Sequence, residues 1–160
     1  MTDLYISEKP ETTLSLKCNM DLSIIIPVWN EQNKIDADLR ALDVFFSGQN
    51  SGIEIIVVDD GSNDATCTVV DKVRKNLNMK VKLLGEGGHH GKGYAVRKGI
   101  LASRGKYVMF MDCGGNVPLE YINKGLELLS DPSIRLVHGS RRLPESRIPA
   151  PMSFKRRILS

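Results

Sequence analysis

Apolar residues in this chain fall into short, continuous, β-branched runs separated by segments of helical period. Leu22 to Val28 (Leu-Ser-Ile-Ile-Ile-Pro-Val) and Ile53 to Val58 predict strands buried on both faces, as in a parallel sheet, with Pro27 near the end of the first. Between them Ile35, Leu39, Leu42 and Phe46 recur at spacings of four, three and four, which predicts an amphipathic helix after Glu31 that stops near Gly48. The second strand runs into Asp59-Asp60-Gly61-Ser62-Asn63-Asp64, a turn rich in helix-capping residues, and Val69, Val70, Val73 and Leu77 mark a second helix. Val81 to Leu84 reads as a third strand and Tyr94 to Ser103 as a third helix. Lys106 to Met111 reads as a fourth strand, Leu119, Ile122, Leu126 and Leu129 as one stripe of a fourth helix, and Ile134 to His138 as a fifth strand. This alternation predicts an α/β protein, a Rossmann-like three-layer sandwich around a mainly parallel sheet. Met1 to Met20 has no periodicity and reads as a flexible leader, and past Ser140 the pattern decays into prolines and basic residues.

Composition narrows the class without changing this picture. With 160 residues, 41% of them hydrophobic, the chain is long enough to bury a core of its own, so disorder and fibrous repeats are excluded. No apolar run approaches the ~20 residues of a membrane span. Cys18, Cys67 and Cys113 are odd in number and widely spaced, which argues against a disulfide framework and a zinc site and fits a cytoplasmic location. The net charge of +3 is uneven: residues 135–160 carry seven basic side chains against Glu145, or +6, leaving −3 for the rest. Such a basic end faces something acidic, a ligand phosphate or a lipid headgroup, or is a solvated tail. Aromatics make up 6% of the chain and are not interleaved with the cluster, so no nucleic-acid partner is expected.

In an open α/β sheet the ligand crevice lies beyond the carboxyl ends of the strands. Four such ends carry polar signatures: Pro27-Val28-Trp29-Asn30-Glu31, Asp59-Asp60-Gly61-Ser62, the loop from Gly85 to Gly93 with five glycines and Lys92, and Asp112-Cys113-Gly114-Gly115-Asn116. Carboxylates, a glycine loop and a lysine on one sheet edge suit a nucleoside diphosphate with a divalent cation. His89 and His90 lack the i, i+4 spacing of a helical metal pair and read as solvated loop residues. Cys113 reads as a small buried residue, and Arg97 and Lys98 as the exposed face of their helix.

Three of these stretches, in order, resemble family 2 glycosyltransferases: Ser-Ile-Ile-Ile-Pro-Val-Trp-Asn-Glu, Ile-Ile-Val-Val-Asp-Asp-Gly-Ser-Asn-Asp-Ala-Thr, and the run from Gly91-Lys92-Gly93 to Asp112. The resemblance covers Leu22 to about Arg142, and Gly-Lys-Gly with Gly-Ser-Arg-Arg is most similar to the polyprenyl-phosphate (dolichyl-phosphate) glucosyl- and mannosyltransferases. It implies a GT-A fold and a nucleotide-sugar donor. Carried over residue by residue, it implies that Pro27, Val28 and Glu31 line the nucleoside pocket, that Asp59 with Asp60 accepts a hydrogen bond from the base, and that Lys92 and Gly93 approach the nucleotide. Asp112 is the expected catalytic and metal-binding carboxylate, for Mg2+ or Mn2+, and Arg141 and Arg142 the residues for the acceptor phosphate. The chain departs from the family at Asp112-Cys113-Gly114, where Gly114 replaces the usual second aspartate of Asp-Xaa-Asp.

The expected function is inverting transfer of a hexose from a nucleotide-sugar to polyprenyl phosphate, with the protein cytoplasmic and peripheral to the membrane. The alternative is a catalytically impaired nucleotide-sugar-binding module, or the donor-binding part of a larger transferase. The expected division is a leader over residues 1–20, a nucleotide-sugar-binding domain over 21–142, and a basic, proline-containing tail over 143–160 that belongs to an incomplete acceptor region.

Overall fold

The computed structural model describes residues 21–48, 52–85, 87–115 and 117–140, and the backbone of residues 5–8. Its elements are β1 (Tyr5–Glu8), β2 (Leu22–Val28), α1 (Ile35–Phe45), β3 (Ile53–Asp59), α2 (Thr66–Val73), β4 (Lys80–Gly85), α3 (Lys92–Ala102), β5 (Tyr107–Phe110), α4 (Glu120–Leu129) and β6 (Leu136–Val137). They build a six-stranded sheet in the order β4-β3-β2-β5-β1-β6. The strands β4, β3, β2 and β5 run parallel, with Val28 of β2 beside Asp59 of β3, whereas β1 pairs antiparallel with both β5 and β6.

The uninterrupted apolar runs of β2 and β3 are explained by burial on both faces. Leu22, Ile24, Ile26 and Val28 point to one side with Ile55 and Val57, against Ile35, Leu39 and Leu42 of α1, Val70 of α2 and Ile122 of α4. Ile25, Ile56 and Val58 point to the other, against Ala95 of α3. Each of these fully buried aliphatic side chains contributes about 1.5–3 kcal/mol relative to exposure, so both layers of helices are fastened to the central strands by burial.

Several boundaries depart from the sequence reading: α2 ends at Val73 and leaves Leu77 in extended backbone past a short 3-10 turn, and the strand expected over Ile134 to His138 is confined to Leu136–Val137. Tyr5–Glu8, which aperiodicity placed in a flexible leader, is an edge-side strand; at four residues it is too short to show a period, and its place is set by pairing with β5. Helix α3 starts at Lys92 rather than Tyr94, because Gly91 at φ +94 turns the chain and its carbonyl accepts the N–H groups of Tyr94 and Ala95. Residues 9–20 of the leader, Arg141, Arg142 and the tail over 143–160 lie outside the described residues. Among the described residues no helix is long and apolar enough to cross a membrane.

Candidate functional site

Beyond the carboxyl ends of β2, β3 and β5 the strands release their chains into loops that must turn away from the sheet, and the loops after β2 and β3 are tied to each other. The Asp60 N–H donates to the Val28 carbonyl at 2.9 Å. Asn30, at φ +56, donates its N–H to Ser62 Oγ at 2.9 Å and accepts the Asn63 N–H at 2.8 Å. Asparagine tolerates this left-handed conformation better than most residues. The Glu31 N–H donates to Thr66 Oγ1 at 2.9 Å, Gln32 accepts the Ala65 N–H at 2.9 Å, and Asp64 bonds Thr66 through both its N–H and its hydroxyl.

These loops wall an open cleft of about 540 Å³ lined by residues from all four polar strand ends, among them Pro27, Val28, Glu31, Asp60, Lys92 and Asp112. Glu31 meets Lys34 Nζ at 2.6 Å on the exposed rim. Lys92 Nζ stands 2.6 Å from Asp112 Oδ1, and its ammonium lies 5.4 Å from the centre of the Phe110 ring. Gly93, one residue into α3, has open space where a Cβ would be.

The adjacent carboxylates Asp59 and Asp60 are placed differently. Asp59 is buried behind the wall and accepts the Ser62 N–H at 3.2 Å through Oδ2; it is not among the cleft-lining residues. The Cys67 thiol faces it, and burial first, then the Asp59 charge, pushes that thiol up to about 11. Asp60 reaches into the cleft wall and accepts the N–H groups of His90 at 2.9 Å and Gly91 at 2.7 Å, with His89 Nδ1 at 2.9 Å from Oδ2. Burial opposes ionisation of Asp60, but these backbone donors and the neighbouring imidazoles outweigh it and hold the carboxyl below its usual 3.8.

The glycine loop is thereby pinned rather than free. Gly61, at φ +77, lets the loop lie directly on the turn after β3, since a Cβ there would stand 2.6 Å from the Gly88 carbonyl carbon. His89 and His90 are exposed loop residues, as their spacing predicts, and in addition His89 stacks on Trp29 with ring centres 4.4 Å apart and His90 packs against Tyr94. Sequence reasoning missed these contacts of His89 because its partners, Trp29 and Asp60, are remote in sequence. Trp29 itself carried a signal, as the sole tryptophan of the chain placed directly after a buried strand. It stays 48% exposed at the cleft mouth.

The loop after β5 is positioned from α1. Asp38, three residues after Ile35 and so on the margin of the buried stripe of α1, accepts the Gly114 N–H at 2.6 Å. It also hydrogen-bonds the Cys113 thiol, which burial first, and then Asp38, pushes far above its usual range. The backbone of Gly114 lies at φ +115, where L side chains rarely go.

The described residues offer a divalent cation a single motif carboxylate, Asp112, rather than a set of protein ligands. No three His, Cys, Asp or Glu side chains converge among the described residues. Asp112 is already engaged by Lys92, and the conformation of Gly114 disfavours a second carboxylate. The cleft instead offers an ammonium, the N-terminus of α3 and a stacked aromatic face, groups that receive an anion joined to a flat ring.

Comparison with known proteins places these features in context. The profile of the family described as Glycosyl transferase family 2 matches residues 23–150. A dolichyl-phosphate beta-glucosyltransferase of Dictyostelium discoideum is 34% identical over 151 residues, covering 88% of this chain and 46% of that protein. The mannosyltransferase PcManGT of Pyrobaculum calidifontis, solved with GDP-Man and Mn2+, aligns with a TM-score of 0.59 at 18% identity, over 79% of this chain and 37% of that one. Glucosyl-3-phosphoglycerate synthase of Mycobacterium tuberculosis, solved with Mn2+, uridine diphosphate and phosphoglyceric acid, aligns with a TM-score of 0.55 at 21% identity, over 71% and 40%. At these identities the likeness to the two solved structures is one of fold. The chain spans about half the length of the curated relatives it matches.

Proposed function

The chain belongs to glycosyl transferase family 2 and has the GT-A fold, and from that premise we propose that its cleft binds a nucleotide-activated hexose for inverting transfer to a polyprenyl phosphate. The observation that carries the reading is the cleft itself, where Lys92, the α3 N-terminus and the Trp29–His89 stack meet beyond the carboxyl ends of the parallel strands. The base lies against Pro27, Val28 and the Trp29 face, with Asp60 and Glu31 as acceptors for its N–H groups and for ribose hydroxyls. Asp59 shapes the turn that presents Asp60. The diphosphate lies at Lys92 and Gly93, where the helix N-terminus favours negative charge.

Transfer is a single displacement. The bond between the anomeric carbon and the diphosphate oxygen breaks, and its electron pair stays on the leaving nucleoside diphosphate. The acceptor phosphate, already anionic near neutral pH, supplies the pair for the new bond from the opposite face, so no general base is required. Preorganised positive groups at the leaving oxygen lower the barrier. The acceptor follows the relatives described as dolichyl-phosphate beta-glucosyltransferases, and Arg141 and Arg142 are proposed to receive its phosphate at a membrane surface. A divalent cation, such as the Mn2+ present in the complexes of PcManGT and glucosyl-3-phosphoglycerate synthase, would have to take Asp112 from Lys92.

Incubation with UDP-glucose labelled in the sugar and with a polyprenyl phosphate, followed by organic extraction, tests the reading. Label in the lipid phase that disappears with Lys92→Gln is the expected result. A specific observation favours the second reading, a donor-binding module without catalysis: Gly114 stands in the place of the second acid, at a φ that disfavours one. Calorimetric binding of UDP-glucose with no label transferred would select that module, and absence of binding would sink both.

A further inference from the structure

The groups that oppose negative charge in the cleft are unequal in kind. Lys92 is the first residue of α3, and its ammonium is 2.6 Å from Asp112, with 53% of the lysine side chain and 39% of the aspartate exposed to the cleft. An ion pair this open to solvent is weak, and an ammonium has three donors, so one can remain on Asp112 while the others turn to phosphate oxygens. Two residues beyond Asp112 the backbone of Gly114 is held at φ +115, with its N–H donated to buried Asp38, so the loop is fixed in a shape that does not carry a second carboxylate. Of the two lysines that line the cleft, Lys34 is paired with Glu31 at the rim, and Lys92 stands at the start of α3.

We propose that Lys92, oriented by Asp112, is the cation that holds the diphosphate of the donor, without a divalent metal. This rests on the donor-site reading above and adds to it the identity of the neutralising group. When the anomeric carbon to oxygen bond breaks, the electron pair arriving on the diphosphate is met by N–H donors of Lys92, which keeps its protons throughout. Asp112 is a positioning residue: its carboxylate fixes the lysine stem before the nucleotide arrives.

The test is calorimetric titration of the chain with UDP, and with GDP in parallel, in chelator and then in magnesium or manganese. Affinity in the parent is expected to agree within about twofold between chelator and cation, because Lys92 occupies the Asp112 carboxylate that the ion would need. Lys92→Gln should lower affinity in chelator by about tenfold to a hundredfold, the range of a hydrogen bond to a charged group, and Lys92→Arg should keep most of it. Magnesium should then partly rescue Lys92→Gln through the released Asp112, and Lys92→Gln combined with Asp112→Asn should lose that rescue. In chelator, Asp112→Asn should lower affinity when Lys92 is present and change little in the Lys92→Gln background; equal losses in both backgrounds would overturn its assignment as a positioning residue. Parent binding that appears only with magnesium or manganese, or a Lys92→Gln variant that binds like the parent in chelator, would overturn the proposal while leaving the donor site intact. No binding of either nucleotide in any buffer would remove the donor site itself and the proposal with it.

Discussion

Asp60 accepts two backbone N–H groups of the glycine loop and faces His89, whereas the preceding Asp59 caps a single turn through Ser62. Asp60→Asn would aim an amide N–H at the His90 or Gly91 N–H groups, and the two donors repel. The loop should loosen, and UDP affinity by calorimetry should fall about tenfold, on the scale of losing a charge-assisted bond. Asp59→Asn should leave that affinity within about threefold and lower the melting temperature instead, because a cap is worth about 1 kcal/mol. Equal losses of affinity for both variants would return Asp59 to the base pocket. The sequence made this pair conspicuous but did not separate its members. Which of two neighbouring carboxylates faces a cleft depends on where β3 ends and on the loop laid across it, and the loop is nearly 30 residues away.

At the scale of elements, the strands and helices were legible because burial imposes a period. The parallel strands are continuous apolar runs with cores on both faces, and α1, α2 and α4 each place one stripe on the sheet. What periodicity did not reveal is how loops are fastened. Asp38 on α1 holds Gly114, and Gly61 admits Gly88, contacts between segments remote in sequence. Gly61→Ala tests the second of these. The new Cβ would stand 2.6 Å from backbone at Gly88, on a residue already at φ +77, so the loop must lift off the turn and drag His89 from Trp29. The expected result is a loss of stability of about 1–3 kcal/mol together with weaker nucleotide binding. Tryptophan fluorescence reports the broken stack directly, since Trp29 is the sole tryptophan of the chain; an unchanged spectrum would show that the loop does not rest on Gly61.

Across the whole molecule, the two ends of the parallel sheet do opposite work. The carboxyl ends open into the cleft, and the other end is closed around a buried carboxylate. Glu54, with no solvent exposure, accepts Ser23 Oγ at 2.7 Å, Lys82 Nζ at 2.6 Å and the Arg104 N–H at 2.7 Å, while Ser23 Oγ also accepts the Gly105 N–H at 2.8 Å. One side chain thus joins β2, β3, β4 and the connection from α3 to β5. Burial alone would raise the Glu54 pKa, but the bonds from Lys82, Ser23 and Arg104 outweigh it and hold the carboxyl below its usual 4.5. The folded value lies below the unfolded one, so the stabilisation is fully present above about pH 4.5 and is lost as pH falls through the folded value. Urea unfolding followed from neutral pH downward should therefore show an acid-dependent loss that shrinks in Glu54→Gln, a variant itself less stable at neutral pH by about 1–3 kcal/mol because Lys82 loses its partner. Lys82→Met removes the strongest bond holding the carboxyl ionised, so its acid transition should begin at higher pH than in the parent. If parent, Glu54→Gln and Lys82→Met lose stability in parallel as the pH is lowered, the acid sensitivity belongs to other carboxylates, and Glu54 is a neutral hydrogen-bonding group rather than the charged centre of this end of the sheet.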